Sequence, residues 1–202
     1  MADTDDRLAS LVPRAVDGNA RALKEIIRIV YPQVLRYCRA RVGGGRQPTA
    51  EDIAQETCLA LSKSIHKYVD MGRPFMAYVY GIAFNKVTDA HRAMGRDRSS
   101  PVEEMPDRAD PAYSPEEIAL VEDGSNRARA LLDTLSERAR EIIILRVFVG
   151  LSADDTADVV GSTPGAVRVA QHRALSQLRK RVEREASGGG VTARAGARKE
   201  RR

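Results

Sequence analysis

The feature that most constrains this chain is a stretch near its C-terminal end, residues 151–178, in which two helical segments flank a tight turn. Ser152 can cap the first segment, and acidic residues follow it in the first turn, where the helix dipole favours negative charge. Gly161 supplies the left-handed residue that ends this helix. Thr163 and Pro164 are residue types that begin a second helix. This order of caps and turn predicts a helix-turn-helix.

The second of these helices has a polar and basic outer face. The apolar residues of the two helices can meet in a small core, for which we expect Ala157, Val160, Val167, Leu175 and Leu178. The outward residues are Arg168, Gln171, His172 and Arg173. Because the second helix of such a motif enters the DNA major groove, the basic face favours DNA binding. The alternative is an ordinary helical hairpin.

Composition limits the classes of protein that the remaining sequence can form. The 202 residues carry a net charge of +5, and 43% of them are hydrophobic, which allows packed cores and favours a polyanionic partner. Cys38 and Cys58 lack a CxxC partner, so we expect free, buried thiols in an intracellular protein. No apolar run reaches the roughly 18–20 residues that span a membrane, and no signal peptide is evident. We therefore predict a cytoplasmic protein without membrane insertion.

The hydrophobic periodicity is helical throughout and predicts an all-α fold. Helices are expected over residues 4–17 and 20–42, from Thr49 onward, and from Pro74 to about Met94. Ser136 can cap a further helix, whose expected buried side comprises Ile142, Ile143, Leu145, Val147 and Phe148. No strand pattern or glycine-rich phosphate loop occurs in the sequence.

A change of composition divides the chain into two small helical domains joined by an acidic flexible linker. Residues 97–123 contain four prolines and nine acidic residues against two basic ones, a balance of −7. The predicted division is an N-terminal domain over 1–96, a linker over 97–117, a helix-turn-helix domain over 118–185 and a basic tail over 186–202. The Gly/Ala-rich tail is predicted to be disordered.

Two further patterns lie in the first domain. The sequence AEDIAQET places one polar group of side chains on a single helical face: Glu51, Asp52, Gln55 and Glu56. A solvated helix N-terminus explains this pattern equally well.

The sequence FMAYVYGIAFNK concentrates aromatic residues on one helix, which then ends in His91, Arg92 and Arg96. Rings beside cations are typical of single-stranded nucleic-acid sites. The alternative is that the rings are core residues, which is the expectation for Phe75.

Three segments then occur in series around the acidic linker: AEDIAQET, FMAYVYGIAFNKVTDAHR and LSERAREIIILRVFVGLSADDTADVVGSTPGAVRVAQHRALSQLRK. Together they resemble the bacterial sigma factors of the small, extracytoplasmic-function (ECF) class, over about residues 5–183. The resemblance implies a dissociable subunit that binds core RNA polymerase and directs promoter-specific initiation. It would recognise the minus-35 and minus-10 elements and trap melted DNA.

The resemblance also implies three sets of functional residues. The polar face that would bind the clamp helices of the largest polymerase subunit comprises Glu51, Asp52, Gln55 and Glu56. The minus-10 site, with the basic residues that follow it on the same helix, comprises Arg73, Tyr78, Asn85, Lys86, His91 and Arg92. The minus-35 site comprises Arg146, Thr163, Arg168, Gln171, His172 and Arg173, with Thr163 and Arg146 expected at the DNA backbone.

The sequence departs from the family pattern at a few positions. Tyr78 stands where the family often has Trp. Val169 and Ala170 stand where Ser or Arg is common, and these two positions bear on the preferred minus-35 sequence. The family implies an anti-sigma factor as a further partner.

We expect no cofactor, metal or catalytic residue, since no nucleophile–base or ligand set emerges. The alternatives are a stand-alone helix-turn-helix regulator and a nucleic-acid enzyme, the latter requiring such a set.

Overall fold

The computed structural model describes residues 2–42, 48–96 and 127–192, and within these ranges the regular structure is entirely helical. The N-terminal part contains α1 (Ala2–Val16), α2 (Ala20–Arg41), α3 (Ala50–Ser64), a 3₁₀ turn (Ile65–Lys67) and α4 (Phe75–Arg96). The C-terminal part contains α5 (127–133), α6 (Glu137–Ile143), a π-helical segment (Ile144–Val149), α7 (Ala153–Val160) and α8 (Pro164–Thr192). The predicted all-α fold is confirmed.

Helix α2 forms the centre of the N-terminal module, which we define as residues 2–96. Ile26, Val30 and Val34 recur every fourth residue and are fully buried, so they form one continuous apolar stripe. Helices α1, α3 and α4 all pack against α2. Each buried aliphatic side chain contributes about 1.5–3 kcal/mol, so this stripe accounts for much of the module's stability.

Local capping explains where several helices begin. The Asn19 side chain accepts a hydrogen bond from the Ala22 amide at the start of α2. Thr49 and Asp52 form a reciprocal capping box at the start of α3, in which each side chain bonds the other's backbone amide. Ser136 caps α6 through the Ala139 amide, as the sequence predicted.

The C-terminal module, residues 127–192, corrects two predictions about buried residues. Val147 and Phe148 were expected in the core but are 51% and 63% exposed. The chain is π-helical there and ends at Gly150 with φ of 85°, so the register moves away from an α-helical face. Leu175 was also expected in the core, yet it is exposed, and Ala174 is buried beside Val167 in its place.

Helix α8 is longer than the sequence predicted. It continues to Thr192, so residues 186–192 are helical, whereas we had predicted disorder from residue 186. Residues 97–126 and 193–202, which hold most of the predicted linker and tail, lie outside the described residues.

The two modules pack directly against each other. Helix α4 of the N-terminal module lies along α7 of the C-terminal module, and α2 touches the π-helical segment. Their apolar residues join in one buried cluster. The helix α4 expected to read the minus-10 element is therefore close in space to α7, the first helix of the motif expected to read the minus-35 element.

Candidate nucleic-acid and polymerase interfaces

The helix-turn-helix forms because its local sequence fixes each boundary. The Ser152 hydroxyl accepts a hydrogen bond from the Asp155 amide at 3.0 Å and caps α7. Gly161 then adopts φ of 61°, the left-handed conformation that ends the helix. The Thr163 hydroxyl accepts from the Ala166 amide at 3.2 Å and caps α8. The predicted motif, with its caps and its turn, is confirmed.

Three of the predicted minus-35 residues lie exposed near the start of α8: Arg168, His172 and Arg173. Arg168 lies 3.4 Å from Asp154 of α7, and both side chains are more than half exposed. Exposed ion pairs of this kind contribute at most about 1 kcal/mol, so a phosphate or a base edge can displace Asp154. This face of α8 is available to DNA in the structure as it stands.

Arg146 and Gln171 are instead bonded to each other. The Arg146 Nε donates to the Gln171 side-chain oxygen at 2.9 Å, and its guanidinium also bonds the Leu151 carbonyl. Both residues are half-buried where the π-helical segment meets α8. This geometry ties α8 to the preceding segment, and the Thr163 hydroxyl is likewise engaged as a cap.

The four polar residues of α3 lie on one side of the helix, as the spacing predicted. Asp52 and Gln55 are exposed, whereas Glu51 bonds Arg39 at 2.8 Å and Glu56 bonds Lys86 at 3.2 Å. Hydrogen bonds from the Thr49 side chain and backbone hold the pKa of Asp52 below its usual value. Asp52 therefore has a structural role in the capping box besides any role in binding.

The aromatic residues of α4 divide between core and surface. Phe75 is buried, as predicted, and Tyr80 is buried edge-on against Tyr37 with centroids 5.5 Å apart. Tyr78 is half-buried, and its hydroxyl donates to the Ser64 hydroxyl at 2.7 Å. Its ring packs 5.1 Å from that of Tyr68. Among these rings, Tyr78 is the one that both belongs to the proposed site and reaches the surface.

The remaining minus-10 candidates lie along the outside of α4 and in the loop before it. Asn85 is exposed, Lys86 bonds Glu56 and Arg92 lies 3.4 Å from Asp89. These contacts are all within the N-terminal module.

Two minus-10 candidates are contacted by the C-terminal module. Arg73 forms an ion pair with Asp158 of α7. His91 has its Nδ1 3.3 Å from Glu137 and its Nε2 3.1 Å from the Arg41 carbonyl. Burial, and then the Arg41 charge, lower the pKa of His91. The structure thus connects residues of the proposed minus-10 site to the module that carries the proposed minus-35 site.

Sequence reasoning missed a buried polar cluster between the modules. Glu141 of α6 is 2% exposed, and its carboxylate meets the Arg41 Nε at 2.5 Å and the Tyr37 hydroxyl at 2.6 Å. Burial raises the pKa of Glu141, which the Arg41 charge and the Tyr37 hydrogen bond oppose. Tyr37 and Glu141 are 104 positions apart in the chain, so no local pattern links them.

Neither a metal-ligand cluster nor a helix long and apolar enough to cross a membrane occurs among residues 2–42, 48–96 and 127–192. The fold and its exposed basic helix define a helical DNA-binding protein of two modules.

Family models match both modules. Sigma-70 region 2 matches residues 26–97, and Sigma-70, region 4 matches residues 125–178.

Similar curated proteins cover most of the chain. The ECF RNA polymerase sigma factor SigD of Mycobacterium tuberculosis (strain H37Rv) is 51% identical over 179 residues, which are 88% of this chain and 84% of that protein. The ECF RNA polymerase sigma factor ShbA of Streptomyces griseus is 46% identical and covers 87% of this chain and 95% of its own. The chain belongs to the ECF RNA polymerase sigma factors.

Solved structures support the same fold. The structure of CnrH in complex with the cytosolic domain of CnrY matches with a TM-score of 0.65 and 24% identity, over 89% of this chain and 97% of that one. The sigma factor RpoE of Bartonella quintana, solved in complex with the anti-sigma factor NepR, matches with a TM-score of 0.62 and 21% identity, over 79% and 96%.

Membership in this family gives the function. The protein is a sigma factor that binds core RNA polymerase and directs promoter-specific transcription initiation. Sigma factors as a family are non-enzymatic regulators of transcription.

Proposed function

We propose that the minus-35 element is read by the exposed face of α8 and the minus-10 element by α4 with its preceding loop. The observation that carries this assignment is that Arg168, His172 and Arg173 stand exposed on the second helix of a well-formed helix-turn-helix. Arginine can bond guanine bidentately in the major groove, and each such contact discriminates by about 1–3 kcal/mol. Thr163, Arg146 and Gln171 support this face through the cap and the interhelical bond described above.

The minus-10 assignment is supported by the position of one accessible ring among cations. Tyr78 can stack on an unpaired base, which contributes about 1–3 kcal/mol. Asn85, Lys86 and Arg92 line the same helix, and Arg73 and His91 extend the site toward α7. The N-terminal domain over 1–96 would thus melt DNA, while the domain over 118–185 anchors the upstream element and residues 97–117 link them.

The polymerase-binding surface in this proposal is the polar face of α3: Glu51, Asp52, Gln55 and Glu56. It would meet the clamp helices of the largest subunit. Because Glu51 and Glu56 already pair with partly exposed cations, cationic partner residues could replace Arg39 and Lys86 at small cost.

We further propose that the chain acts in the cytoplasm, has no catalytic site of its own and is controlled by an anti-sigma factor. The last point is supported by the neighbour solved with NepR. Two weak DNA contacts on one chain combine through effective concentration, so covering either module would abolish promoter binding.

Run-off transcription with purified core polymerase and candidate promoters tests the proposal. We expect promoter-specific transcripts only when the protein is added, and fewer of them when Arg173 is replaced by Ala. Arg28→Ala is the matched control, because it removes an exposed arginine from the N-terminal module. Equal transcript levels with Arg173→Ala and Arg28→Ala would contradict the assignment of the minus-35 face.

A further inference from the structure

Val169 is an exposed apolar side chain on the helix that carries the proposed minus-35 site. It is the sixth residue of α8 and is 50% exposed. Among the described residues it belongs neither to the buried cluster nor to the partly buried side chains packed against that cluster, whereas the next residue, Ala170, does pack there. Valine also stabilises a helix less than alanine does, because its branched side chain loses rotamer freedom. Neither packing among the described residues nor helix propensity therefore accounts for a valine at this position.

The position of Val169 around the helix axis places it on the side of α8 that faces away from the core. Successive residues of an α-helix are about 100° apart, so Val169 lies about 160° from the buried Val167 and about 140° from the buried Ala174. In the same projection it falls between His172 and Arg173, about 60° from the first and about 40° from the second. Single exposed apolar residues are common on protein surfaces, but this one stands at the middle of the basic face.

Val169 also lies at the level along α8 where base edges are read. The N-terminal residues of a recognition helix contact base edges in the major groove. Val169 directly follows Arg168 and precedes Arg173 by four residues, which is about 6 Å of helix rise. Because the major groove is about 12 Å wide, the three side chains fit within it together.

The chemistry of a valine side chain limits what it can recognise. It has no hydrogen-bond donor or acceptor, so it cannot read the polar pattern of a base pair. The apolar group that base edges present in the major groove is the C5-methyl group of thymine. Burial of one methyl group strengthens binding by about fourfold. The neighbouring arginines instead supply donors for guanine.

We propose that Val169 reads a thymine methyl group within the minus-35 element, so that this element contains an A·T pair next to the base pairs that Arg168 and Arg173 contact. This inference rests on the proposed minus-35 site and adds one specificity-determining residue to it. It also separates the two departures from the family pattern. Val169 reaches the groove, whereas Ala170 packs against the core.

Replacement of thymine by deoxyuridine tests the proposal, because it removes one methyl group and keeps the base pairing. The probes are fluorescent duplexes carrying the minus-35 element of a promoter mapped by run-off transcription, with each thymine of either strand replaced in turn. Fluorescence anisotropy with the unmodified protein should show a position at which deoxyuridine weakens binding about fourfold. An element without thymine in either strand, or one in which no replacement weakens binding, would overturn the proposal.

Val169→Ala shows whether the valine is the residue that contacts this methyl group. The variant should bind the thymine duplex about fourfold less tightly and should lose the response to deoxyuridine, because both changes remove the same contact. A response that persists in Val169→Ala would overturn the assignment.

Val182→Ala is the matched control. Val182 is a second valine of α8, is 40% exposed and lies about 20 Å of helix rise beyond Val169, which is outside the groove. This variant should keep the full response to deoxyuridine. Circular dichroism should show unchanged helix content in both variants, since alanine is the better helix former.

A further variant separates this inference from the minus-35 assignment on which it rests. Arg173→Ala should weaken binding to the minus-35 duplex relative to a duplex with a scrambled element. If Arg173→Ala has this effect and deoxyuridine has none, only the thymine contact is refuted. If the unmodified protein binds both duplexes equally, the minus-35 assignment is refuted and the thymine contact with it.

Discussion

The two proposed DNA-reading surfaces differ in how much of each is free. On α8, Arg168, His172 and Arg173 are exposed, and Arg168 makes an exposed ion pair with Asp154 of the same module. On and before α4, Arg73 and His91 are engaged by the opposite module. One surface can meet duplex DNA at once, while the other depends on a rearrangement. The order of events on a promoter can therefore be set by the fold of the free protein.

The largest effect within this comparison is expected from Arg173→Ala. Losing one arginine contact to a base edge should weaken binding to minus-35 duplex by about 1–3 kcal/mol, or roughly 5- to 150-fold. Binding of a minus-10 single strand should not change. Fluorescence anisotropy with both probes checks this, with Arg28→Ala as the control. Equal weakening on both probes would contradict the division of labour between the surfaces.

The parts of the helix-turn-helix that could be predicted from sequence are those fixed by neighbouring residues. Ser152 and Thr163 cap helices through hydrogen bonds to amides three residues away, and Gly161 ends a helix through its own φ angle. The identities of these residues were therefore sufficient to predict the two caps and the turn. Phe148 was misplaced because the π-helical segment changes the register of a face that would be buried in an α-helix.

The contacts between the modules could not be predicted in the same way. Glu141 appeared to be one more polar residue near the start of a helix, because its partners Tyr37 and Arg41 lie far away in the chain. Arg146 was expected at the DNA backbone, and only the packing of the π-helical segment against α8 shows its bond to Gln171. Long-range pairing of polar groups leaves no periodic trace in a single sequence.

An intermediate effect is expected from Asp158→Ala, which removes the α7 partner of Arg73. Both side chains are about half exposed, so the ion pair contributes at most about 1 kcal/mol. Releasing Arg73 should raise the affinity of the free protein for minus-10 single strand by up to about fivefold. Asp133→Ala is the control, since it removes an exposed acidic side chain whose partner, Arg140, belongs to neither proposed DNA site. A loss of affinity in Asp158→Ala would show that this contact does not compete with DNA.

The smallest effect concerns the titration of His91. Burial and the Arg41 charge lower its pKa, while the Arg41 carbonyl and Glu137 act in the opposite direction. Neutral His91 therefore favours the packed arrangement of the two modules, and this contribution is lost as the pH falls from the usual histidine range near 6.5 through the lowered pKa. Glu141, with its raised pKa, acts oppositely: its contribution is present at low pH and is lost as the pH rises.

NMR titration of the ring protons measures the pKa of His91 directly. It should lie below the usual value in the unmodified protein. It should rise in Glu141→Arg, because two buried cations between α2 and α6 should separate the modules and remove the burial of His91. Glu137→Gln should lower it further, since Glu137 raises it. A pKa that is the same in Glu141→Arg and in the unmodified protein would place His91 outside the interface between the modules.

The two modules touch in this structure, whereas the promoter elements that they are proposed to read are separate stretches of DNA. The most direct test is the distance between spin labels on Lys67→Cys and Arg179→Cys, both at exposed positions, measured on the free protein and again in complex with core polymerase and promoter DNA. The account predicts a short distance in the first state and an increase of several tens of ångströms in the second. The same distance in both states would contradict it.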